Sequence, residues 1–289
     1  MSVTKSAGIL PIAKSTISHY NDWLLAGHDD PYEDCGQFRY FGCFNKEKHK
    51  ANLKIPYNNF YVGKAVKRNC NRLRCSVCFW KAAYSRSMKI EKRLRAYKTQ
   101  RYTYPIHVIV SPPPKINDSF TNLRTKALRS LKKCGIVGGV MVVHHFRCRD
   151  YKYNVPGIHF HVIGYGWVSG TKENFEKENI IVKNVGIRKS VRKTASYLLG
   201  HCSVIKCEHT DCECVDKTKY HTIVWFGGCS YNKLKVIYEV ENFNLCNYCS
   251  EPMKPMDWRD DADGEPPDEE KTFTFNRKDW KMVSVNYDK

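Results

Sequence analysis

The sequence has no apolar run approaching the roughly 18–20 residues that a membrane-spanning helix needs, which excludes an α-helical membrane protein. Residues 1–14 also lack a basic start followed by an apolar stretch, so no secretory signal is visible. We therefore expect a soluble protein of the cytoplasm.

Two nucleotide-binding motifs are missing as well. No Gly-x4-Gly-Lys-Ser/Thr occurs, which excludes a phosphate-binding loop for ATP. The short Gly164-Tyr165-Gly166 does not make a dinucleotide fingerprint, and no internal repeat is visible. Any unwinding of DNA by this chain must then come from a host helicase or from superhelical stress.

What the chain does have is a large positive charge and enough apolar residues for a core. Hydrophobic residues make up 42% and aromatic residues 13% of 289 residues, which is typical of a folded protein. Its formal net charge is +19. A charge of this size favours a polyanionic partner, because neutralising phosphates releases counterions, and we predict nucleic acid.

Fourteen cysteines, clustered towards both ends, favour zinc over disulfides in a chain without a visible secretory signal. Cys70-x4-Cys75-x2-Cys78 has the close spacing of thiolates around tetrahedral Zn²⁺, with Cys43 or His49 as the fourth ligand and Cys35 less favoured. Cys246-x2-Cys249 is a second half-site, which two of four nearby residues would complete: Cys207, His209, Cys212 and Cys214.

The hydrophobic pattern predicts a mixture of helices and strands. The predicted helices cover residues 81–98, 118–133 and 191–199. The predicted strands cover residues 104–110, 138–146 and 158–165, with two more strand-like runs within residues 220–241. The strands at 138–146 and 158–165 are expected to pair as an antiparallel hairpin.

His159 and His161 stand one residue apart in the apolar run GIHFHVIG. Alternate side chains of a strand share a face, so the two imidazoles would form half of a divalent-metal site. The preceding strand offers His144 and His145, of which only one can point to that face; we favour His144, with His145 as the alternative. His107 is better explained as an ordinary strand residue.

Tyr197 lies in the helical pattern that follows, and a tyrosine hydroxyl can attack phosphorus to give a phosphotyrosine. Arg192 and Lys193 lie one turn upstream, where they could hold phosphate. His201, four residues after Tyr197, could position phosphate or exchange protons, or it could simply cap the helix.

The order of these motifs resembles that of the HUH endonucleases: a strand from His107, His-hydrophobic-His at 159–161 and Tyr-x-x-x-His at 197–201. Within that superfamily, the sequence around the motifs is similar to that of the rolling-circle replication initiators of archaeal plasmids and viruses. The similar segments are VHHFR (143–147), HFHVIGYG (159–166), SYLLGH (196–201), WFGG (225–228) and SYNKL (230–234). The similarity covers roughly residues 70–250.

The resemblance implies an α+β fold, with an HUH core built on a central antiparallel sheet and flanked by helices. It also implies Mg²⁺ or Mn²⁺, nicking and rejoining of single-stranded DNA at a replication origin through a 5′-phosphotyrosine, and a host polymerase that extends the freed end. The sequence departs from the pattern in having His201 where many members have lysine, in offering one well-placed tyrosine, and in lacking an obvious acidic or amide third ligand.

We expect five regions along the chain. These are an irregular arm (1–34), a zinc module with a basic helix (35–100), the nuclease core (101–206), a zinc-ribbon-like module (207–254) and an acidic linker and tail (255–289). Two other functions remain open from the sequence: a transposase or relaxase of the same superfamily, and a zinc-finger DNA-binding regulator without catalysis.

Overall fold

A computed structural model describes most of the chain. The described residues are 19–20, 23–45, 47–49, 60–98, 102–113, 120–149, 152–205, 221–238, 245–257, 272–276 and 281–286.

Both helices and strands form along these residues. The helices are α1 (Phe79–Tyr97), α2 (Phe120–Lys133), α3 (Thr171–Glu178) and α4 (Val191–Gly200). The strands up to the central hairpin are β1 (His19–Tyr20), β2 (Trp23–Leu25), β3 (Phe38–Cys43), β4 (Phe60–Lys67), β5 (Ile106–Ser111), β6 (Ile136–Arg149) and β7 (Lys152–Gly166). The later strands are β8 (Ile181–Ile187), β9 (Ser203–Ile205), β10 (Ile223–Gly227), β11 (Lys254–Met256), β12 (Thr272–Asn276) and β13 (Lys281–Asn286).

A five-stranded sheet forms the centre of the fold, with the strand order β10-β6-β7-β5-β8. Every neighbouring pair in it is antiparallel. The long hairpin of β6 and β7 therefore lies in the middle, and β7 carries the histidine pair. The fold is mixed α/β with a central antiparallel sheet, as expected.

Helices cover both faces of this sheet. On one face, α1 and α4 pack against alternate residues of β6 and β7, among them Val140, Val142 and Ile163. On the other face, α2 covers the intervening residues, among them Met141 and Phe160. Because strand side chains alternate, each histidine of the hairpin faces either the α1–α4 layer or the α2 layer.

A second five-stranded sheet has the order β11-β3-β4-β12-β13. It combines strands from residues 38–67 with strands from residues 254–286, which the sequence suggested were separate modules. The tail beyond residue 255 contributes two of the five strands, β12 and β13, and the end of β11. The acidic residues between 257 and 270 lie almost wholly outside the described residues. A third, small sheet has the order β1-β2-β9.

Every helix and strand predicted within residues 101–206 forms, whereas α3, β8 and β9 in the same region were not predicted. The hairpin strands are longer than predicted, since they continue to Arg149 and start at Lys152. Of the two strand-like runs within 220–241, the first forms β10; beyond it, the described residues 228–238 adopt turns and irregular structure. Within the described part of the chain, no helix is long and apolar enough to cross a membrane.

Candidate metal and tyrosine site

Three histidines meet on the α1–α4 face of the hairpin. His159 and His161 lie on the same face of β7, and His144 of β6 pairs directly opposite His159. The ring of His144 lies 5.4 Å from that of His159 and 4.4 Å from that of His161, between centroids. One ring nitrogen from each histidine lies within 4.8 Å of the others, close enough for one cation to contact all three.

Backbone carbonyls orient two of these rings. His144 Nε2 lies 3.1 Å from the carbonyl oxygen of Leu198, and His159 Nδ1 lies 2.9 Å from that of Gly157. A carbonyl oxygen can only accept, so each ring donates an N–H there and its other nitrogen keeps a lone pair. Rings held in this way are typical of histidines that bind metals.

A fourth histidine, His107, contacts the ring of His161. His107 on β5 lies with its Nε2 2.8 Å from Nδ1 of His161, and Arg188 contacts Nδ1 of His107 at 3.1 Å. His107 is thus a strand residue that contacts the candidate site without joining the group of three, in agreement with its predicted role.

Burial keeps the rings of His144 and His161 neutral. It lowers the pKa of His144 well below the ordinary value, and the neighbouring His161 and His159 lower it further. Burial, with the same kind of charge repulsion, lowers the pKa of His161 to about 3. Neutral imidazole is the form that binds metal ions, so this state favours a role for both rings as ligands near pH 7.

His145, the alternative third ligand, points to the opposite face. Its ring stacks on Trp23 at 4.0 Å between centroids and lies 5.7 Å from Phe120, which belongs to α2. The alternation of side chains along β6 therefore excludes it from the group and leaves His144, which the sequence favoured.

Tyr197 lies beside the three histidines on α4. Its side chain is 62% exposed, while its neighbours Leu198 and Leu199 are fully buried in the α1–α4 core. Tyr197, His201 and the three histidines line one open cleft. The helix thus presents a phenol hydroxyl at a cleft that could hold a metal ion.

His201 caps the helix and also lines the cleft. Its Nδ1 donates to the carbonyl oxygen of Tyr197 at 2.8 Å, which satisfies one carbonyl of the last turn of α4. Its ring also lies 4.7 Å from the ring of Tyr197, between centroids, inside the cleft.

His28 also lines the cleft, although no sequence pattern indicated it. His28 follows Gly27, whose φ of +79° turns the chain after β2, and it lines the cleft beside Tyr197. The backbone N–H groups of Gly27 and Asp29 donate to Leu73 and Arg74, on the loop that carries the first cysteine cluster. No periodic pattern marks a residue of such a loop.

Arg192 and Lys193, the predicted phosphate contacts, are exposed on α4. The guanidinium carbon of Arg192 lies 5.7 Å from the ring centroid of Tyr84 on α1. Both cations are therefore accessible on the tyrosine helix.

The first cysteine cluster contains Cys35, Cys70, Cys75 and Cys78, whose sulfur atoms lie within 4.8 Å of one another. The sequence favoured Cys43 or His49 as the fourth member, and this prediction is wrong, because Cys35 lies in that position. Strands β3 and β4 pair Phe38 with Lys67, so Cys35 and Cys70 each lie three residues beyond the same end of the hairpin.

The second cluster contains Cys43, His49, Cys246 and Cys249. Nε2 of His49 lies 3.4 Å from the sulfur of Cys246 and 3.3 Å from that of Cys249. Cys43 and His49 thus complete the half-site that had been assigned to a different set: Cys207, His209, Cys212 and Cys214, all outside the described residues.

Both clusters have the donor set that zinc prefers, four thiols in one and three thiols with an imidazole in the other. All eight residues are in reach of a single ion at each position, and the cysteines are free thiols. Three other cysteines, Cys134, Cys202 and Cys229, are buried free thiols that belong to neither cluster. The two clusters could therefore bind zinc.

Comparison of the chain with models of known protein families, with curated proteins and with solved structures finds no match in any of the three.

Proposed function

We propose that this chain is an HUH-type endonuclease that nicks and rejoins single-stranded DNA, and that it initiates rolling-circle replication. The observation that carries the proposal is the convergence of three imidazoles and an exposed tyrosine in one cleft. The resemblance to the HUH endonucleases assigns metal binding to His159 and His161 and nucleophilic attack to Tyr197. The net charge of +19 supports a nucleic-acid substrate.

His144, His159 and His161 would hold a divalent cation, Mg²⁺ or Mn²⁺, at the cleft. Three ring nitrogens within 4.8 Å, two of them with the tautomer fixed by a backbone carbonyl, fit a transition-metal ion such as Mn²⁺ better than Mg²⁺, which prefers oxygen ligands. The bound ion would supply charge neutralisation at the scissile phosphate and leave coordination positions for its oxygens.

Tyr197 is the nucleophile in this proposal. Its hydroxyl oxygen forms a bond to phosphorus while the bond from phosphorus to the 3′ oxygen breaks, so the protein stays joined to the 5′ end. His201, whose ring lies 4.7 Å from that of Tyr197, would exchange the proton that the phenol loses and the 3′ oxygen gains. Arg192 and Lys193 on the same helix would hold neighbouring phosphates.

We also propose Zn²⁺ in the two cysteine clusters, with a structural role. In the first cluster, Cys78 immediately precedes α1, and the loop of the cluster is hydrogen-bonded to the segment that carries His28. A zinc ion there would hold this wall of the cleft in place. In the second, an ion would tie β3 to the chain just before β11.

The test is cleavage of DNA from the protein's own replicon, single-stranded or supercoiled, in the presence of Mn²⁺ and analysed on denaturing gels. Wild type is expected to give nicked DNA and a covalent protein–DNA adduct. Tyr197→Phe and the double variant His159→Ala/His161→Ala are expected to lose both.

A matched control is Tyr231→Phe, because Tyr231 is 61% exposed, like Tyr197, and lies outside the cleft. This variant should retain nicking and adduct formation. Tight binding without any adduct in the wild type, across metals and substrates, would reject the nuclease and favour a DNA-binding regulator. Preference for transposon ends over a replication origin would favour a transposase.

A further inference from the structure

Helix α1 carries three large side chains in a row on its outer surface. Trp80, Tyr84 and Met88 are 42%, 49% and 41% exposed, although the opposite side of the same helix is deeply buried. Residues four apart lie on one face of a helix, with about 6 Å of rise between them. We call Trp80, Tyr84 and Met88 the aromatic stripe.

The aromatic stripe begins at the edge of the cleft. Gly200, which lines the cleft together with Tyr197 and His201, packs so closely on Trp80 that an added Cβ would lie 2.7 Å from the indole ring. From Trp80, the stripe follows α1 away from the cleft. A chain held at Tyr197 thus meets Trp80 first when it leaves in this direction.

Cations surround the stripe. On α1, Lys81, Lys89 and Lys92 are exposed, and Glu91 is the only acidic residue of the helix. Glu91 forms an ion pair with Arg95 at 3.1 Å, so its negative charge is balanced within the helix. Beside Tyr84 lies the exposed Arg192 of α4, whose guanidinium contacts both the ring and the hydroxyl of Tyr84.

Exposed aromatic faces between cations suit one class of partner in particular. Single-stranded nucleic acid offers bases that stack on aromatic rings and phosphates that pair with cations, and proteins bind it by combining the two. A duplex keeps its bases stacked inside and cannot use the ring faces in this way. An apolar protein partner would gain little from the lysines and the arginine around the stripe.

We propose that the aromatic stripe on α1 binds the single strand that flanks the scissile phosphate, with bases stacked on Trp80 and Tyr84 and phosphates on Arg192 and the α1 lysines. This inference rests on the proposed function and adds to it the path of the strand outside the cleft. The stripe contributes affinity for single strands of any sequence, because every base has a face that can stack.

The test is fluorescence anisotropy with a labelled 20-nucleotide mixed-sequence single strand and the corresponding duplex, using the full chain loaded with zinc and without Mg²⁺ or Mn²⁺. The variants are Trp80→Leu and Tyr84→Leu, which keep an apolar side chain with high helix propensity and remove the flat ring. Trp167→Leu is the matched control, because Trp167 is 81% exposed and follows the far end of β7.

Each stripe variant is expected to weaken single-strand binding at least about five-fold, the lower end of what one stacked base contributes. Binding of the duplex should change less than two-fold, and Trp167→Leu should bind both probes like the wild type. Circular dichroism on each variant verifies that the fold is retained.

Two outcomes would overturn the proposal: single-strand affinity that is unchanged in both folded stripe variants, or equal losses for single strand and duplex. Adduct formation by the wild type is scored separately. Stripe variants that bind normally beside an active wild type would refute the stripe alone, whereas weakened variants beside an inactive wild type would refute the nuclease alone.

Discussion

At the residue scale, the alternation of side chains along β6 gives two adjacent histidines different environments. His144 faces the cleft, whereas His145 is buried in the opposite core and stacks on Trp23. Burial, with a smaller contribution from His159, lowers the pKa of His145 to about 3. The neutral ring is therefore part of the folded core, and protonating it opposes folding.

This burial predicts a specific acid sensitivity. In the unfolded chain His145 returns to a pKa of about 6.5, so the unfolded state binds more protons between that value and about 3. The stability that the neutral ring contributes is fully present above about pH 6.5 and is lost as the pH falls through this window. His145→Phe keeps a ring against Trp23 and cannot titrate.

We expect His145→Phe to reduce the slope of the free energy of unfolding against pH by about 1.4 kcal/mol per pH unit between about pH 6 and pH 4. Urea unfolding at a series of pH values measures both slopes, and all other titrating groups are common to the two proteins. Identical slopes would mean that His145 is not held neutral in the core.

Individual residues were predictable where strand periodicity decides the answer. The alternation in β7 places His159 and His161 on one face, and pairing of β6 with β7 gives His144 as their neighbour. His28 was not predictable, because a left-handed glycine and hydrogen bonds to a distant loop bring it to the cleft.

At the element scale, hairpin register determines which cysteines meet. The pairing of β3 with β4 brings Cys35 to Cys70, and it also places Cys43 at the other end of β3, beside the 246–249 turn. The sequence could not predict this arrangement, because spacing reveals only ligands that are close in the chain. Neither strand was recognised within the cysteine-rich and basic residues 35–78.

Zinc content distinguishes the observed clusters from those predicted by spacing. Cys35→Ser and Cys43→Ser should each lose one equivalent of zinc relative to wild type, and the double variant should lose two, because each variant removes a ligand from a different cluster. Elemental analysis of the purified proteins gives the counts.

Cys134→Ser is the control for this series, since Cys134 is a buried free thiol outside both clusters. It should retain the zinc content of the wild type. Full zinc content in Cys35→Ser would contradict the observed first cluster and restore Cys43 or His49 as its fourth ligand.

At the scale of the whole molecule, strands that are far apart in the sequence pair in one sheet. Strand β12 pairs with β4, so the residues after 271 complete a sheet begun before residue 68. The sequence indicated a central antiparallel sheet but placed the residues of β4 and β12 in separate regions, because pairing between distant strands leaves no local pattern.

The positive charge predicts strongly salt-dependent binding of single strands. Each neutralised phosphate contributes about −0.7 to the slope of log affinity against log salt, so five or more contacts give a slope of about −3.5 or steeper. Arg192→Gln should make the slope shallower by about 0.7, whereas Lys133→Gln, on α2, should leave it unchanged.

Anisotropy titrations over a range of salt concentrations measure these slopes. Lys133 is a suitable control because it is already paired with Glu178, away from the cleft. A slope near zero for the wild type would mean that phosphate contacts contribute little to binding.

The central claim is that Tyr197 becomes covalently joined to DNA, and mass spectrometry of the adduct tests it most directly. Wild-type protein would be incubated with Mn²⁺ and single-stranded origin DNA, digested with protease and nuclease, and sequenced by fragmentation. We predict a nucleotide attached through a 5′ phosphate to Tyr197. An adduct on another residue, or nicking that persists in Tyr197→Phe, would contradict the proposed mechanism.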